Sequence, residues 1–236
     1  MIGGFVVFGA ERAARAVAGW RSPPETRAGN IHRMDPRNHW ERVYQTKKPD
    51  QVSWYRVHLD VSVGLITKAC DDRGASIIDV GGGEATLVDD LIAAGYVHVD
   101  VLDLSETALH VARERIGSIG DTVGWLCGDV TTYAFAANRY DVWHDRAVFH
   151  FLTTPEQRGA YVQQVARAVK PGGHVIVATF GPEGPHQCSG LDVVRYDADS
   201  LHDQFGPRFE LVDHQFEEHR TPNGTRQQFV YCLCRR

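Results

Sequence analysis

The stretch Ile77-Ile-Asp-Val-Gly-Gly-Gly-Glu-Ala85 decides the fold, and an apolar helical stripe begins two residues after it, at Leu87. Its β-branched start predicts a short strand, and the stripe predicts a helix directly after the glycines. Glycine allows a tight turn there and lets a ligand approach the backbone with no Cβ in the way. An ordinary strand-to-helix turn would use the same residue type, so the loop needs support from elsewhere in the chain.

Downstream of this stretch, short β-branched runs alternate with helical periods, which is typical of βαβ units on a parallel sheet. The predicted strands are Ser76–Val80, His98–Asp103, Val123–Cys127, Tyr140–His144 and His174–Phe180. Three apolar stripes predict the helices between them, starting at Leu87, Leu109 and Tyr161. Lys170-Pro-Gly-Gly173 is expected to end the third helix and turn the chain into the fifth strand.

The C-terminal segment has a different pattern. Phe209–Glu217 and Gln227–Cys234 are extended runs joined by Thr221-Pro-Asn-Gly224, and Asn-Gly is a strong turn signal. We therefore predict an antiparallel hairpin that closes one edge. Together the elements predict an α/β fold with a seven-stranded, mostly parallel sheet. In the last strand, Cys232 and Cys234 should lie on the same face of the sheet.

Composition limits the partners and the compartment. The chain has 236 residues, of which 43% are hydrophobic, and no apolar run approaches the roughly 20 residues of a membrane span. With Lys+Arg 25 against Asp+Glu 30, the net charge of -5 argues against a nucleic-acid partner. Five scattered cysteines without a CxxC pair indicate a reducing compartment. We expect a cytoplasmic protein with no membrane partner, and the histidine spacing predicts no metal site.

The first 33 residues form a separate segment by composition. They contain five arginines against two glutamates, whereas the rest of the chain is acidic. Their apolar stretch has no basic region before it and no cleavage site after it, which argues against a secretory signal. We predict that residues 1–33 are a loosely ordered arm, dispensable for activity, and that residues 34–236 form one domain. Met34 could also be the true start of the protein.

The glycine loop does not suit a dinucleotide. In a G-x-G-x-x-G pattern the third glycine would fall on Thr86. Asp79 also stands two residues before the loop, where its negative charge would disfavour a pyrophosphate. A cofactor with a cationic sulfonium and ammonium would be favoured by that carboxylate. Asp103 ends the second strand at the distance where acidic residues meet ribose hydroxyls, and Asp129 follows the third strand. Each aspartate alone could be a cap or turn residue, but their shared position at successive strand ends indicates one crevice.

These residues resemble a known family, the class I S-adenosylmethionine-dependent methyltransferases, which have a Rossmann-like fold. The resemblance covers about residues 36 to 236. It is carried by Asp79-Val-Gly-Gly-Gly83, Val101-Leu-Asp-Leu-Ser105, Gly128-Asp129, Tyr140-Asp-Val-Trp-His-Asp145 and Lys170-Pro-Gly-Gly173. The family usually has a third glycine where Ala85 stands, which is a mild departure.

The resemblance implies S-adenosyl-L-methionine as the cofactor and assigns residues to its parts. Asp79, Gly81 and Gly83 would line the methionine end. Asp103, with Leu104, would bind the ribose, and Asp129, with Val130, the adenine. Ahead of the core, Trp40 and Trp54 belong to an aromatic segment that is either ordinary helix packing or a lid that excludes water over the cofactor. We expect the lid.

The acceptor is the least determined part. Asp145-Arg146-Ala147, followed by Pro155, Arg158 and Tyr161, is similar to thiopurine-type S-methyltransferases, which makes Asp145 and Arg146 the candidate catalytic residues. A thiol is already a few per cent thiolate at pH 7, so positioning is enough for it. We therefore expect a small soft nucleophile, a thiol or related chalcogen compound, as the acceptor.

Two alternatives stay open. The aromatic segment around Trp40 and Trp54 also resembles methyltransferases of protein lysines. Those enzymes tend to have Asp-Lys-Gly, however, where this chain has Asp145-Arg146-Ala147. A cofactor-binding regulatory module without turnover is the other alternative. The oligomeric state and the role of Cys188, in a Gly/Pro-rich loop after the fifth strand, are left open.

Overall fold

A computed structural model describes residues 35–236, so the predictions made for residues 1–33 lie outside the described residues. The helices are α1 (Pro36–Thr46), α2 (Asp60–Ala69), α3 (Leu87–Ala93), α4 (Glu106–Ile116), α5 (Pro155–Ala168) and α6 (Ala198–Asp203). The strands are β1 (Ser76–Val80), β2 (His98–Asp103), β3 (Gly124–Cys127), β4 (Tyr140–Arg146), β5 (Val169–Phe180), β6 (Gln187–Cys188), β7 (Leu191–Asp192), β8 (Glu210–Arg220) and β9 (Arg226–Arg235).

Seven of these strands form one sheet in the order β3-β2-β1-β4-β5-β9-β8. The first five are parallel, and β9 runs antiparallel to both β5 and β8. The predicted seven-stranded α/β fold with its C-terminal antiparallel hairpin is confirmed. Because the strand order reverses between β1 and β4, a crevice opens at the carboxyl ends of these two strands, the usual ligand site in such sheets.

The sheet has a hydrophobic core on each face. Strand β9 shows this most clearly, because Val230, Cys232 and Cys234 enter one core while Phe229, Tyr231 and Leu233 enter the other. The prediction that Cys232 and Cys234 share a face is confirmed, and all five cysteines are free. Burial on both faces also explains why β1 and β2 could be recognised as continuous apolar runs.

The predicted junction between the third helix and the fifth strand is wrong. Helix α5 ends at Ala168, and the chain enters β5 at once, with Val169 paired to Tyr140. The Lys170-Pro-Gly-Gly173 turn therefore lies inside an irregular start of the strand, where the register shifts between Tyr140 and Val142. Gly172 has φ +80° and donates its N–H to the carbonyl of Arg236, so this glycine serves the edge of the sheet and not the helix end.

Among residues 35–236, no helix is long and apolar enough to cross a membrane. The same residues contain no group of three or more His, Cys, Asp or Glu side chains arranged to hold a metal ion.

Candidate active site

The glycine loop between β1 and α3 has contacts that leave no room for side chains. Gly81 has φ +71° and donates its N–H to the Leu102 carbonyl at 2.7 Å, and a Cβ there would overlap Cγ2 of Val148. Gly83 has φ +44°, and a Cβ there would lie 2.7 Å from the hydroxyl of Tyr44. Both positions therefore require glycine for conformation and for close approach.

Asp79 lies at the end of β1 and faces the crevice. Its Oδ1 is 2.7 Å from Nδ1 of His144 on β4, and the other nitrogen of that imidazole is 2.9 Å from the hydroxyl of Ser62 on α2. A Cβ on Gly82 would lie 2.6 Å from Asp79 Oδ2, so the second carboxylate oxygen sits against the glycine loop. The predicted methionine-end residues are brought together, and His144, which was not among the predicted site residues, orients Asp79.

Asp103 ends β2 on the same side of the sheet. Its Oδ1 accepts the N–H of Ser105 at 2.8 Å, and its Oδ2 would be 2.9 Å from a Cβ on Gly83. Burial and the nearby charge of Asp79 raise the pKa of Asp103 to about 7, against two backbone hydrogen bonds that lower it. A ligand that changes the surroundings of this carboxyl would therefore change its protonation.

The residues predicted for the adenine follow β3. Asp129 is exposed, and its Oδ1 accepts from the backbone N–H and the hydroxyl of Thr131 at 2.8 and 2.7 Å, while Val130 is buried in the core. The Gly128 N–H donates to the Asp103 carbonyl at 2.9 Å, which ties this turn to the end of β2. Asp129 lies at the expected edge of the crevice, with one oxygen engaged locally.

Helix α1 lies over the ends of β2 and β3. Arg37 donates from Nε to the Leu104 carbonyl at 3.3 Å and from Nη2 to Cys127 Sγ at 2.9 Å. Glu41 accepts the backbone N–H of Glu106 at 2.6 Å, at the N-terminus of α4, where a negative charge is favourable. These contacts hold α1 across the ends of β2 and β3.

The two predicted lid tryptophans do come together. Trp40 lies 5.7 Å from Trp54 and 5.2 Å from Phe151, in both cases edge to face, and Tyr44 lies 6.3 Å from Trp54. Phe151 follows β4, so the aromatic segment closes onto the loop beyond the fourth strand. This arrangement supports a cover over the crevice, as expected for a lid.

Tyr44 is a site residue that the sequence argument did not single out. It is 8% exposed, and its hydroxyl and the Asp103 carboxyl both lie within 3 Å of where a Cβ on Gly83 would be. Burial and the charges of Asp103 and Glu84 raise its pKa, so it stays a neutral phenol. The enclosed space beside the loop is only about 30 Å³, whereas small-molecule sites measure roughly 300 Å³ or more. In this conformation the ring of Tyr44 covers Gly83.

Glu84 is a second residue that the sequence argument passed over, although it stands inside the quoted loop. It is buried, it lines the same cavity as Asp79, and its Oε2 has no hydrogen-bond partner among the described residues. Burial raises its pKa, while the guanidinium of Arg115 opposes the shift. Two carboxylates thus converge on one end of the cavity, which suits the cationic end of S-adenosylmethionine.

Asp145 requires a correction. It is fully buried on the core side, where it accepts the N–H groups of Val148 and Phe149 at 2.8 and 3.1 Å and the hydroxyl of Tyr161 at 2.7 Å. These bonds hold a turn in which Ala147 has φ +76°, an uncommon conformation for a residue with a Cβ. Asp145 therefore positions the loop after β4 and does not face the cavity, so the catalytic role expected for it lacks structural support.

Arg146 points the other way, into the cavity. Its Nε donates to the Tyr231 hydroxyl at 2.9 Å and its Nη1 to the Trp54 carbonyl at 3.3 Å. Its Nη2 is 3.5 Å from Glu217 Oε2, and the guanidinium lies 4.2 Å above the ring of Phe229. Its side chain is only 6% exposed, and these contacts connect β4 to Trp54 and to the C-terminal hairpin. Burial opposes its charge, but Tyr231 and Glu217 keep the pKa of Arg146 raised.

Comparison with known proteins assigns the central part of the chain. A family model described as a methyltransferase domain matches residues 77–173. The ubiquinone/menaquinone biosynthesis C-methyltransferase UbiE of Roseobacter denitrificans is 31% identical over 110 residues, which cover 45% of this chain and 43% of that protein. The eEF1A lysine and N-terminal methyltransferase of Bos taurus is 26% identical over 139 residues, covering 59% and 20%. The match thus spans less than half of either relative.

Solved structures extend the similarity to most of the fold. One comes from work on the conversion of a disulfide bond into a thioacetal group during echinomycin biosynthesis, with a TM-score of 0.69, 20% identity, and coverage of 84% of this chain and 91% of that one. Another is the 1,6-didemethyltoxoflavin-N1-methyltransferase of Burkholderia thailandensis with bound S-adenosylhomocysteine, with a TM-score of 0.60, 18% identity, and coverage of 82% and 80%. At these identities the likeness establishes the fold. Residues 77–173 are therefore similar to a methyltransferase domain, and the chain shares the fold of these solved structures.

Proposed function

We propose that this chain is an S-adenosylmethionine-dependent methyltransferase that binds the cofactor in the crevice between β1 and β4. The observation that carries the proposal is the glycine loop, where Gly81 and Gly83 bring bare backbone against the crevice between the carboxyls of Asp79 and Asp103. The methyltransferase-domain match begins in β1, directly before this loop.

The proposed roles follow from charge and position. Asp79 and Glu84 bind the cationic methionine end, Asp103 with Leu104 binds the ribose, and Asp129 with Val130 borders the adenine. Trp40 and Trp54 exclude water. The cofactor supplies a methyl group already activated by the sulfonium. The chain itself has to align the acceptor and keep the site dry.

For the acceptor we propose a small soft nucleophile, a thiol or related chalcogen compound. Glu217, the carboxylate that contacts Arg146, is already engaged by Tyr231 and two arginines. Asp145, on the other side of the strand, is held by three hydrogen bonds. A lysine ammonium would need an unpaired carboxylate there to lose its proton, whereas a thiol needs little help. The resemblance to thiopurine-type enzymes around Arg146 is a further reason and stays a prediction.

A protein lysine is the second candidate acceptor, because the eEF1A lysine and N-terminal methyltransferase matches more of this chain than the C-methyltransferase does. The regulatory alternative would require that the chain binds the cofactor but does not transfer its methyl group to any acceptor.

Labelled S-adenosylmethionine separates these possibilities. The purified chain is incubated with a thiol and chalcogen pool, a thiopurine pool and a protein extract. We expect label in the first two pools, loss of labelling in Asp103→Ala, and normal labelling in Asp71→Ala, a matched change at an exposed aspartate. Label in protein would identify the lysine alternative, and binding without transfer to any pool would favour the regulatory one.

A further inference from the structure

Two buried histidines near Arg146 have a ring nitrogen without a hydrogen-bond partner among residues 35–236, namely His150 Nε2 and His219 Nδ1. Arg146 Nη2 itself has a long ion-pair contact, 3.5 Å from Glu217 Oε2. Both histidines are completely buried. Buried polar groups are almost always paired, so each unpaired nitrogen calls for an explanation, and a catalytic role is one such explanation.

A chain of aromatic contacts connects the three groups. Arg146 lies 4.2 Å above the ring of Phe229, and the imidazole of His219 lies 6.0 Å from that same ring. Phe180 pairs with Phe229 across the strands at 4.9 Å, and His150 lies 4.7 Å from Phe180. The two histidines therefore flank a Phe–Phe pair, with the guanidinium above it.

The existing hydrogen bonds fix which nitrogen of each imidazole carries the proton. His219 Nε2 is 2.7 Å from the carbonyl of Ser53, which can only accept, so Nε2 is the donor and Nδ1 has a free lone pair. Nδ1 of His150 accepts the backbone N–H of Phe180 at 3.4 Å, so Nε2 of His150 carries the hydrogen. The group thus offers one acceptor, His219 Nδ1, and two donors, Arg146 and His150.

Both imidazoles are neutral at pH 7. Burial and Arg146 lower the pKa of His150 to about 3. Burial, Arg146 and Arg56 lower the pKa of His219, while the Ser53 carbonyl and Glu217 act in the opposite direction. A neutral imidazole with a free lone pair can take a proton, and Glu217 would then stabilise the imidazolium.

We propose that His219 accepts the proton of the methyl acceptor through Nδ1, and that Arg146 and His150 bind the resulting anion. The acceptor is then a small molecule whose nucleophilic atom carries a hydrogen and becomes anionic, as a thiol does. This inference rests on the proposed methyltransferase function and names the group that completes its acceptor site.

The step balances without any further reactant. The acceptor's hydrogen passes to His219 Nδ1, and the electron pair left on the nucleophilic atom forms the bond to the methyl carbon. The bond between that carbon and the sulfonium sulfur breaks, and its electron pair stays on sulfur. The proton on His219 is returned to water when the lid segment opens.

A matched pair of variants separates proton transfer from anchoring of the lid. His219→Gln keeps a donor for the Ser53 carbonyl but has no basic lone pair, whereas His219→Phe loses both. His214→Gln, on the exposed side of the same strand, is the control. Turnover is measured with 2-mercaptoethanol, which is mostly protonated at neutral pH, and with thiophenol, which is mostly thiolate.

We expect His219→Gln to lose about 100-fold or more in turnover with 2-mercaptoethanol but less than about 5-fold with thiophenol, because thiophenol has already lost its proton. Equal losses with both thiols would give His219 a structural role only and overturn the proposal. If the wild type methylates neither thiol, the proposed soft acceptor is wrong instead.

Nitrogen NMR of the imidazoles tests His219 without any acceptor. In the full chain at pH 7 we expect a neutral ring with hydrogen on Nε2 and a bare Nδ1. Hydrogen on Nδ1, or a charged ring, would overturn the assignment whatever the acceptor is.

Discussion

At the scale of single residues, the protonation of Asp103 gives a way to test the proposed cofactor site, because cofactor binding should release protons. Its pKa of about 7 arises because α1 buries it beside Asp79, and hydroxyl donors of a bound ribose would favour the ionised form. Binding should therefore release about half a proton per site at pH 7. Calorimetry in buffers of different ionisation enthalpy measures this number, and Asp103→Asn should abolish it. Proton uptake, or no exchange in the wild type, would contradict the ribose assignment.

At the scale of elements, α1 and its Tyr44 control entry to the crevice. The ring lies against Gly83 and Asp103, so it has to withdraw before a cofactor can bind. Tyr44→Ala should speed cofactor association several-fold, seen as quenching of Trp40 and Trp54 in stopped-flow fluorescence. Tyr44→Phe, which keeps the ring, should stay close to the wild type. An unchanged association rate in Tyr44→Ala would mean that the ring does not obstruct binding.

Some elements could be predicted from the sequence and others could not. Strands β1 and β2 are buried on both faces, so each appears in the sequence as a continuous apolar run, and the ends of the run predict the ends of the strand. Helix α2 contains Gly64 and β-branched residues with low helix propensity, and it forms because Leu65 and Ile66 pack into a core assembled from distant segments. Asp145 looked catalytic beside Arg146, but successive strand residues point to opposite faces. Only the fold shows which face holds the cavity.

At the scale of the whole molecule, residues 35–236 contain both cores, every sheet strand and every proposed site residue. The prediction that residues 1–33 are dispensable can therefore be tested directly. A chain that starts at Met34 should melt within a few degrees of the full chain and bind S-adenosylhomocysteine with the same affinity. A clearly lower melting temperature would mean that the domain boundary is misplaced.

The central claim is that the cofactor contacts the bare backbone of the loop between β1 and α3. Titration calorimetry of the full chain with S-adenosylhomocysteine tests it, comparing the wild type with Gly83→Val and with Gly159→Ala, a helical glycine that has open space around it. We expect one saturable site in the wild type, unchanged in Gly159→Ala and weakened at least about tenfold, or about 1.4 kcal/mol, in Gly83→Val. Equal affinity in a folded Gly83→Val, or no binding by the wild type, would contradict the account.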